Sequence, residues 1–158
     1  MQQEWKEILK ATSVGKIMKV AYQKHILVPA FNIAHLPMVK TIFDVLRETR
    51  TFALLEVSRP DIMCFGAKSF RAVKEEYTRW EDPSLARLHQ DHVPVIDEEG
   101  NPVNWKELIQ EALQLGYHSV MIDGSRLPFQ DNIRVTREVV SMAHPQGVCV
   151  EAELGAVL

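Results

Sequence analysis

Five short apolar runs recur along the chain at a nearly constant interval, and this repeat constrains the fold more than any other feature. They occupy residues 28–32, 52–58, 85–92, 119–124 and 148–155. Most are continuous hydrophobics rather than a clean alternation, the pattern of parallel strands covered on both faces. Helical patterns fill the gaps. Over 38–49, Val39, Ile42, Phe43, Val45 and Leu46 share one face, with Lys40, Asp44 and Arg47 opposite. Asn104 with Glu107 three residues on forms a capping pattern ahead of Leu108, Ile109, Ala112, Leu113 and Leu115, and Gly116 stops that helix. Pro128 opens another helix, carried by Ile133, Val135, Val139, Val140 and Met142, and a fourth is expected around 67–80. The first 24 residues also read as helical, with a weak point at 12–15.

The order is one helix, four βα units and a fifth strand, which argues for a parallel sheet with right-handed crossovers. The last polar residues of the strands are Asn32, Ser58, Asp91, Asp123 and Glu153, separated by 26, 33, 32 and 30 residues. That spacing is close to the ~30 residues of one βαβ unit. Two architectures fit the alternation: an open, doubly wound five-stranded sheet, and part of a barrel. No domain linker is visible, so residues 1–158 read as one unit, with a helical cap over 1–24 and the five strands over 25–158.

In α/β proteins, ligands bind at the carboxyl ends of the strands. One polar strand end is unremarkable, because strands become polar as they leave a core; five of five call for a second explanation. The sharpest local feature is His89-Gln90-Asp91-His92. In a regular strand His89 and Asp91 share a face and His92 points away. For Asp91 and His92 to reach one site the strand must be ending there, and Pro94 makes that plausible. Such a pair suits a metal ligand beside a general acid/base, although a histidine at a strand end is often structural. Glu151 and Glu153 lie two apart and face the same side. Directed into an interior they need either a cation or a buried base. His25, His35, His118 and His144 are expected at the surface.

Composition narrows the partners. Eighteen basic against 21 acidic residues, a net charge of −3, gives no footprint for nucleic acid or an anionic membrane. No apolar stretch approaches the ~18 residues of a membrane span. The opening Met-Gln-Gln-Glu-Trp-Lys-Glu has no signal-peptide pattern, and the two cysteines, Cys64 and Cys149, fit a reducing compartment, so a cytoplasmic location is expected. No strand is followed by G-x-G-x-x-G, no P-loop or G-x-S-x-G elbow is present, and two isolated cysteines make no zinc ribbon.

The combination of Pro29-Ala-Phe-Asn32, Leu88-His-Gln-Asp-His92, Ser119-Val-Met-Ile-Asp-Gly-Ser125 with Leu127-Pro-Phe129 and Asn132-Ile133, and Val150-Glu-Ala-Glu-Leu-Gly155 resembles the class II, zinc-dependent fructose/tagatose-bisphosphate aldolases. The resemblance runs from about Leu9 to Leu158. It implies a (β/α)8 TIM barrel, and reversible aldol cleavage of a ketose bisphosphate into dihydroxyacetone phosphate and an aldehyde. By position, Asp91 resembles the proton donor/acceptor at the bond being broken, and His92 the first histidine ligand of a catalytic zinc ion, Zn2+. Asp123 and Glu153 resemble carboxylates of a second or alternative metal position. Asn32 and Ser58 fall where the family contacts substrate.

This sequence also departs from the family. Two further zinc histidines and the loops that hold the substrate phosphates belong to later strands. The resemblance therefore implies a barrel cut after its fifth strand, inactive alone, with a homo-oligomer expected of the full-length form. The loop over 93–103 is longer than in many members and leaves the sugar phosphate open. A non-catalytic α/β binding or assembly domain is the alternative.

Overall fold

The computed structural model describes residues 9–10 and 12–155. Five strands, β1 (Ala30–Asn32), β2 (Ala53–Val57), β3 (Ala86–Pro94), β4 (Ser119–Asp123) and β5 (Cys149–Ala152), form one sheet. Every neighbouring pair is parallel and the spatial order is the chain order, β1-β2-β3-β4-β5. A doubly wound sheet reverses its strand order at a switch point; this sheet has no reversal. The open-sheet alternative is corrected on that ground. Five consecutive strands with every crossover running the same way are five strands of a (β/α)8 barrel.

Among the described residues, these helices accompany them: α1 (Val14–Gln23), α2 (Met38–Thr49), α3 (Arg59–Met63), α4 (Phe70–Trp80), α5 (Trp105–Leu115) and α6 (Phe129–Ala143). The long crossover helices pack in a row, α2 on α4, α4 on α5 and α5 on α6, as an outer ring requires. α2 has the bounds that its apolar stripe sets. Gly116 closes α5 in the left-handed conformation, φ 77°, which glycine adopts without strain. The fourth expected helix, over 67–80, is α4, which starts at Phe70, where the Ser69 hydroxyl accepts the Ala72 N–H; α3, a single capped turn after β2, is an additional element that the sequence reading did not include. Pro60 in the first turn of α3 explains why no periodicity announced it.

The strands proved two-faced. Leu55 and Val57, Leu88, and Val120 and Ile122 are buried against the helices. Their alternates, Glu56, His89 and Asp91, Ser119 and Asp123, and Glu151, take the opposite face. Register aligns Asn32, Glu56, His89 and Ser119 in one row across β1 to β4. The core between sheet and helices therefore leaves a polar inner face. Two buried tyrosines cross the core with their hydroxyls satisfied: Tyr77 donates to the Ala86 carbonyl at 3.0 Å and Tyr117 to the Phe70 carbonyl at 2.9 Å.

The amino-terminal elements sit below the strands. Leu9 and Lys10 are helical, Thr12 and Ser13 are not, and α1 follows, so the break falls at the expected weak point. The expected helix over residues 1–8 lies outside the described residues. Arg87, 5% exposed, fastens this region: its guanidinium donates to the carbonyls of Leu9 (2.5 Å), Lys10 (3.3 Å) and Thr12 (3.3 Å), and to those of Pro83 and Ala86. At Gly15 an added Cβ would lie 3.4 Å from Cys149 Sγ, so α1 passes close under β5.

One surface assignment fails. His118 is not a surface group: its Nδ1 accepts the Leu88 N–H at 2.9 Å and its ring stacks near Tyr77, centroids 5.9 Å apart.

Candidate active site

Asp91 and His92 reach the same end of the sheet by a route the sequence did not show. β3 does not end at His92 but continues to Pro94. Instead its register against β4 shifts between Gln90 and Val93, and His92 takes φ 46°. A bulge of this kind inserts a residue and re-aims a side chain. A left-handed histidine is uncommon and costs backbone energy, the kind of strain found at functional sites.

The bulge delivers the His92 ring to two carboxylates. Its Nε2 lies 3.2 Å from Asp123 Oδ2, at the end of β4, and 3.7 Å from Glu153 Oε2, just beyond β5. The three groups can turn one ligand atom each into a space where all lie within 4.8 Å of one another. Zinc bonds of ~2.1 Å in a tetrahedron place neighbouring ligand atoms about 3.4 Å apart. One imidazole nitrogen and two carboxylate oxygens at these separations fit a zinc ion as a partial ligand set. Asp123, 6% exposed, also accepts the Ser125 N–H at 2.8 Å, which fixes its orientation.

Glu153 is held through the backbone. Asn132, near the start of α6, donates from Nδ2 to the Glu153 carbonyl at 2.9 Å. Gly124 makes room for that asparagine: a Cβ there would stand 2.4 Å from Asn132 Oδ1 and 3.2 Å from its Cα. For a zinc ion held by this group, Asn132→Ala should weaken binding about 10–100-fold, the usual cost of losing a group that orients a ligand. Competition against a chromophoric chelator measures this; unchanged affinity would show that Glu153 needs no such support.

Asp91 sits at the head of a second network. Asn32, at the end of β1, donates from Nδ2 to Asp91 Oδ2 at 3.0 Å and to Asp61 Oδ2 at 3.2 Å. Asp61 in turn accepts the Ser58 hydroxyl at 2.7 Å and the Ser58 N–H at 2.9 Å, while its own N–H returns to Ser58 Oγ at 3.3 Å. This is the capping box of α3. Four strand-end groups expected at the site, Asn32, Ser58, Asp91 and His92, thus share one end of the sheet, with Asp123 and Glu153 beside them. The Ser58 proton is committed to Asp61.

Two residues escaped the sequence reading. Asp61 was legible, because Ser58 followed three residues later by an acid is a capping pattern. Glu56 was not, and only its register position opposite His89 places it on the inner face; His89, read there as sharing the face of Asp91, was given no role. Burial, then the nearby charges of Asp91, Glu151 and Asp61, pushes the Glu56 carboxyl up to about 7. Burial likewise holds His89 below its ordinary value.

Parallel strands in sequential order, with polar groups gathered at their carboxyl ends, define the class of (β/α)8 barrel proteins. The family model for class II fructose-bisphosphate aldolase matches residues 12–158, and the chain belongs to that family. It is 33% identical over 134 residues to a fructose-bisphosphate aldolase of Giardia intestinalis, a match covering 82% of this chain and 37% of the relative. Two solved structures share the fold. The YdjI aldolase of Escherichia coli K12 aligns with a TM-score of 0.71 at 24% identity, over 93% of this chain and 53% of that one. A fructose-bisphosphate aldolase of Campylobacter jejuni aligns at 0.72 and 18% identity, over 90% and 45%. The chain thus spans between about a third and a half of the length of these relatives. Among the described residues no helix is long and apolar enough to cross a membrane.

Proposed function

We propose that this chain is the amino-terminal part of a class II aldolase barrel, which cleaves a ketose bisphosphate of the fructose- or tagatose-1,6-bisphosphate type. The observation that carries this reading is Asp91 held by Asn32 at the same end of the sheet as the His92, Asp123 and Glu153 group. In this reading His92, Asp123 and Glu153 hold the metal, and zinc when bound supplies Lewis-acid polarisation of a substrate carbonyl. Asp91 takes the proton of the hydroxyl beside the bond that breaks, and returns it in the condensation direction. Asn32 fixes one oxygen of Asp91 and leaves the other for the substrate. Ser58, through Asp61, holds Asn32 in place, and both strand ends lie where a phosphorylated sugar would enter.

A catalytic zinc needs ~3 firm protein ligands with an open position. His92, Asp123 and Glu153 stand here without the two further zinc histidines that the family resemblance implies, so the isolated chain is expected to bind zinc and to release no dihydroxyacetone phosphate. The same assay on the protein carrying all eight strands should show release. There, Asp91→Ala should lower kcat at least ~10²-fold with zinc retained, and His92→Ala should lose the zinc. A zinc-loaded eight-stranded protein that cleaves no ketose bisphosphate would overturn the reading. A cytoplasmic location and a homo-oligomeric full-length form belong to the same proposal.

A further inference from the structure

Gln90, the last residue of β3 in regular register with β4 before the bulge, interrupts an apolar row. Its side chain lies on the helix side of the sheet, with Leu88 and Val93, and is fully buried. Its partners in register are Val57 on β2 and Val120 on β4, both fully buried, and Val150 follows on β5. The amide Nε2 donates to the Leu108 carbonyl, near the start of α5, at 2.9 Å. Oε1 meets no partner, and among the described residues it is the one buried side-chain polar atom in that state. A half-satisfied amide between valines weakens a core that leucine or methionine would fill. Stability does not explain the residue.

The bulge does. In an unbroken strand, the alternation of Leu88 and Gln90 would put residue 92 on the helix side and Val93 on the inner face. The observed order is reversed: Val93 is buried in the core, and His92 Nε2 lies 3.2 Å from Asp123. Asp91 and His92 together stand opposite Met121 alone, and His92 carries the strain at φ 46°. Strain of this kind persists only where the surroundings over-determine it. Beyond the bulge, the Val95 N–H donates to the Asp123 carbonyl at 2.9 Å. Before it, apolar side-chain packing is non-directional, and the Gln90 hydrogen bond to Leu108 supplies the directional hold. A buried polar group that fixes register at a cost in stability is a well-attested device.

We propose that Gln90 is the positioning residue of the β3 bulge. Its hydrogen bond to Leu108 holds the strand against α5, so that His92 keeps its left-handed conformation and faces Asp123 and Glu153. Its bearing on metal binding rests on the reading of those three residues given above, whereas the aim of His92 is a property of the chain itself.

The test compares Gln90→Leu and Gln90→Met with the wild type. Urea unfolding should find both at least as stable, because the unpartnered acceptor is gone. The nuclear Overhauser contact between the His92 ring and the Asp123 methylene, present in the metal-free wild type, should be lost in both. Zinc affinity, from competition against a chelator, should fall about 10-fold, and the Co2+-loaded variants should differ from the wild type in d–d absorption. If the branched leucine prevents folding, the unbranched methionine carries the test. An unchanged His92–Asp123 contact in the folded variants would overturn the proposal. So would failure of both to fold, since stability would then account for the residue. A wild type that keeps the contact, loses it in the variants and binds no zinc would remove the metal reading of the site and leave this proposal standing.

Discussion

Arg87→Met is expected to destabilise the chain by about 3 kcal/mol in urea unfolding. Arg87 stands on the inner face of β3, at the end opposite the candidate site, and is almost wholly buried. A guanidinium in that position is tolerated only if its donors are met. They are met by carbonyls from two separate stretches of chain, residues 9–12 and 83–86. Methionine keeps the aliphatic stem but strands those carbonyls, whose alternative partners are few once α1 is in place. Arg87→Lys should recover only part of the loss, because one ammonium cannot reproduce a planar fork. The variant should also expose α1 to hydrogen exchange before the β2–β4 core opens, since Arg87 joins the two. A loss under ~0.5 kcal/mol, with exchange in α1 unchanged, would show that the cap holds by apolar burial of Val14, Ile17 and Ala21 alone.

Much of the sheet was legible because the repeat is a property of chain length and hydrophobicity, both visible in sequence. α2 and α5 were legible for the same reason, through a stripe and a glycine stop. What stayed hidden required knowledge of which face each strand turns inward. Glu56 sits inside an apolar run and looks like an interruption until the register of β2 against β3 puts it opposite His89. The bulge at His92 was hidden for another reason. His92 is not a glycine, and nothing local advertises its positive φ; the β3–β4 register shift imposes it. Asp91 and His92 both stand at the carboxyl ends of the strands, but each with its own partners, and β3 runs on to Pro94 instead of ending between them. Ser58 shows the reverse: its position was read as substrate-facing, and the three-residue spacing to Asp61 held the information that its hydroxyl is already engaged.

The same hidden inward packing governs His118, and acid should reveal it. Burial, then the charges of Arg87 and Lys74, pushes its imidazole down to about 4. Its Nδ1 receives the Leu88 N–H, so the folded ring is neutral with that nitrogen bare, and protonating it would set two N–H groups against each other. In the unfolded chain the ring binds its proton near 6.5. Between about 6.5 and 4 the unfolded state therefore carries more protons, and stability falls as pH drops through that window. The contribution is complete above about 6.5, and the loss approaches about 3 kcal/mol near pH 4. His118→Gln removes the titration while its side-chain oxygen can still accept the Leu88 N–H. Carboxylates titrate in the same window in both proteins, so the informative quantity is the difference between them. That difference should move in favour of the glutamine variant by about 2–3 kcal/mol from pH 7 to pH 4. Parallel stability curves would mean that His118 protonates in the folded state as readily as in the unfolded chain, which its hydrogen bond to Leu88 forbids.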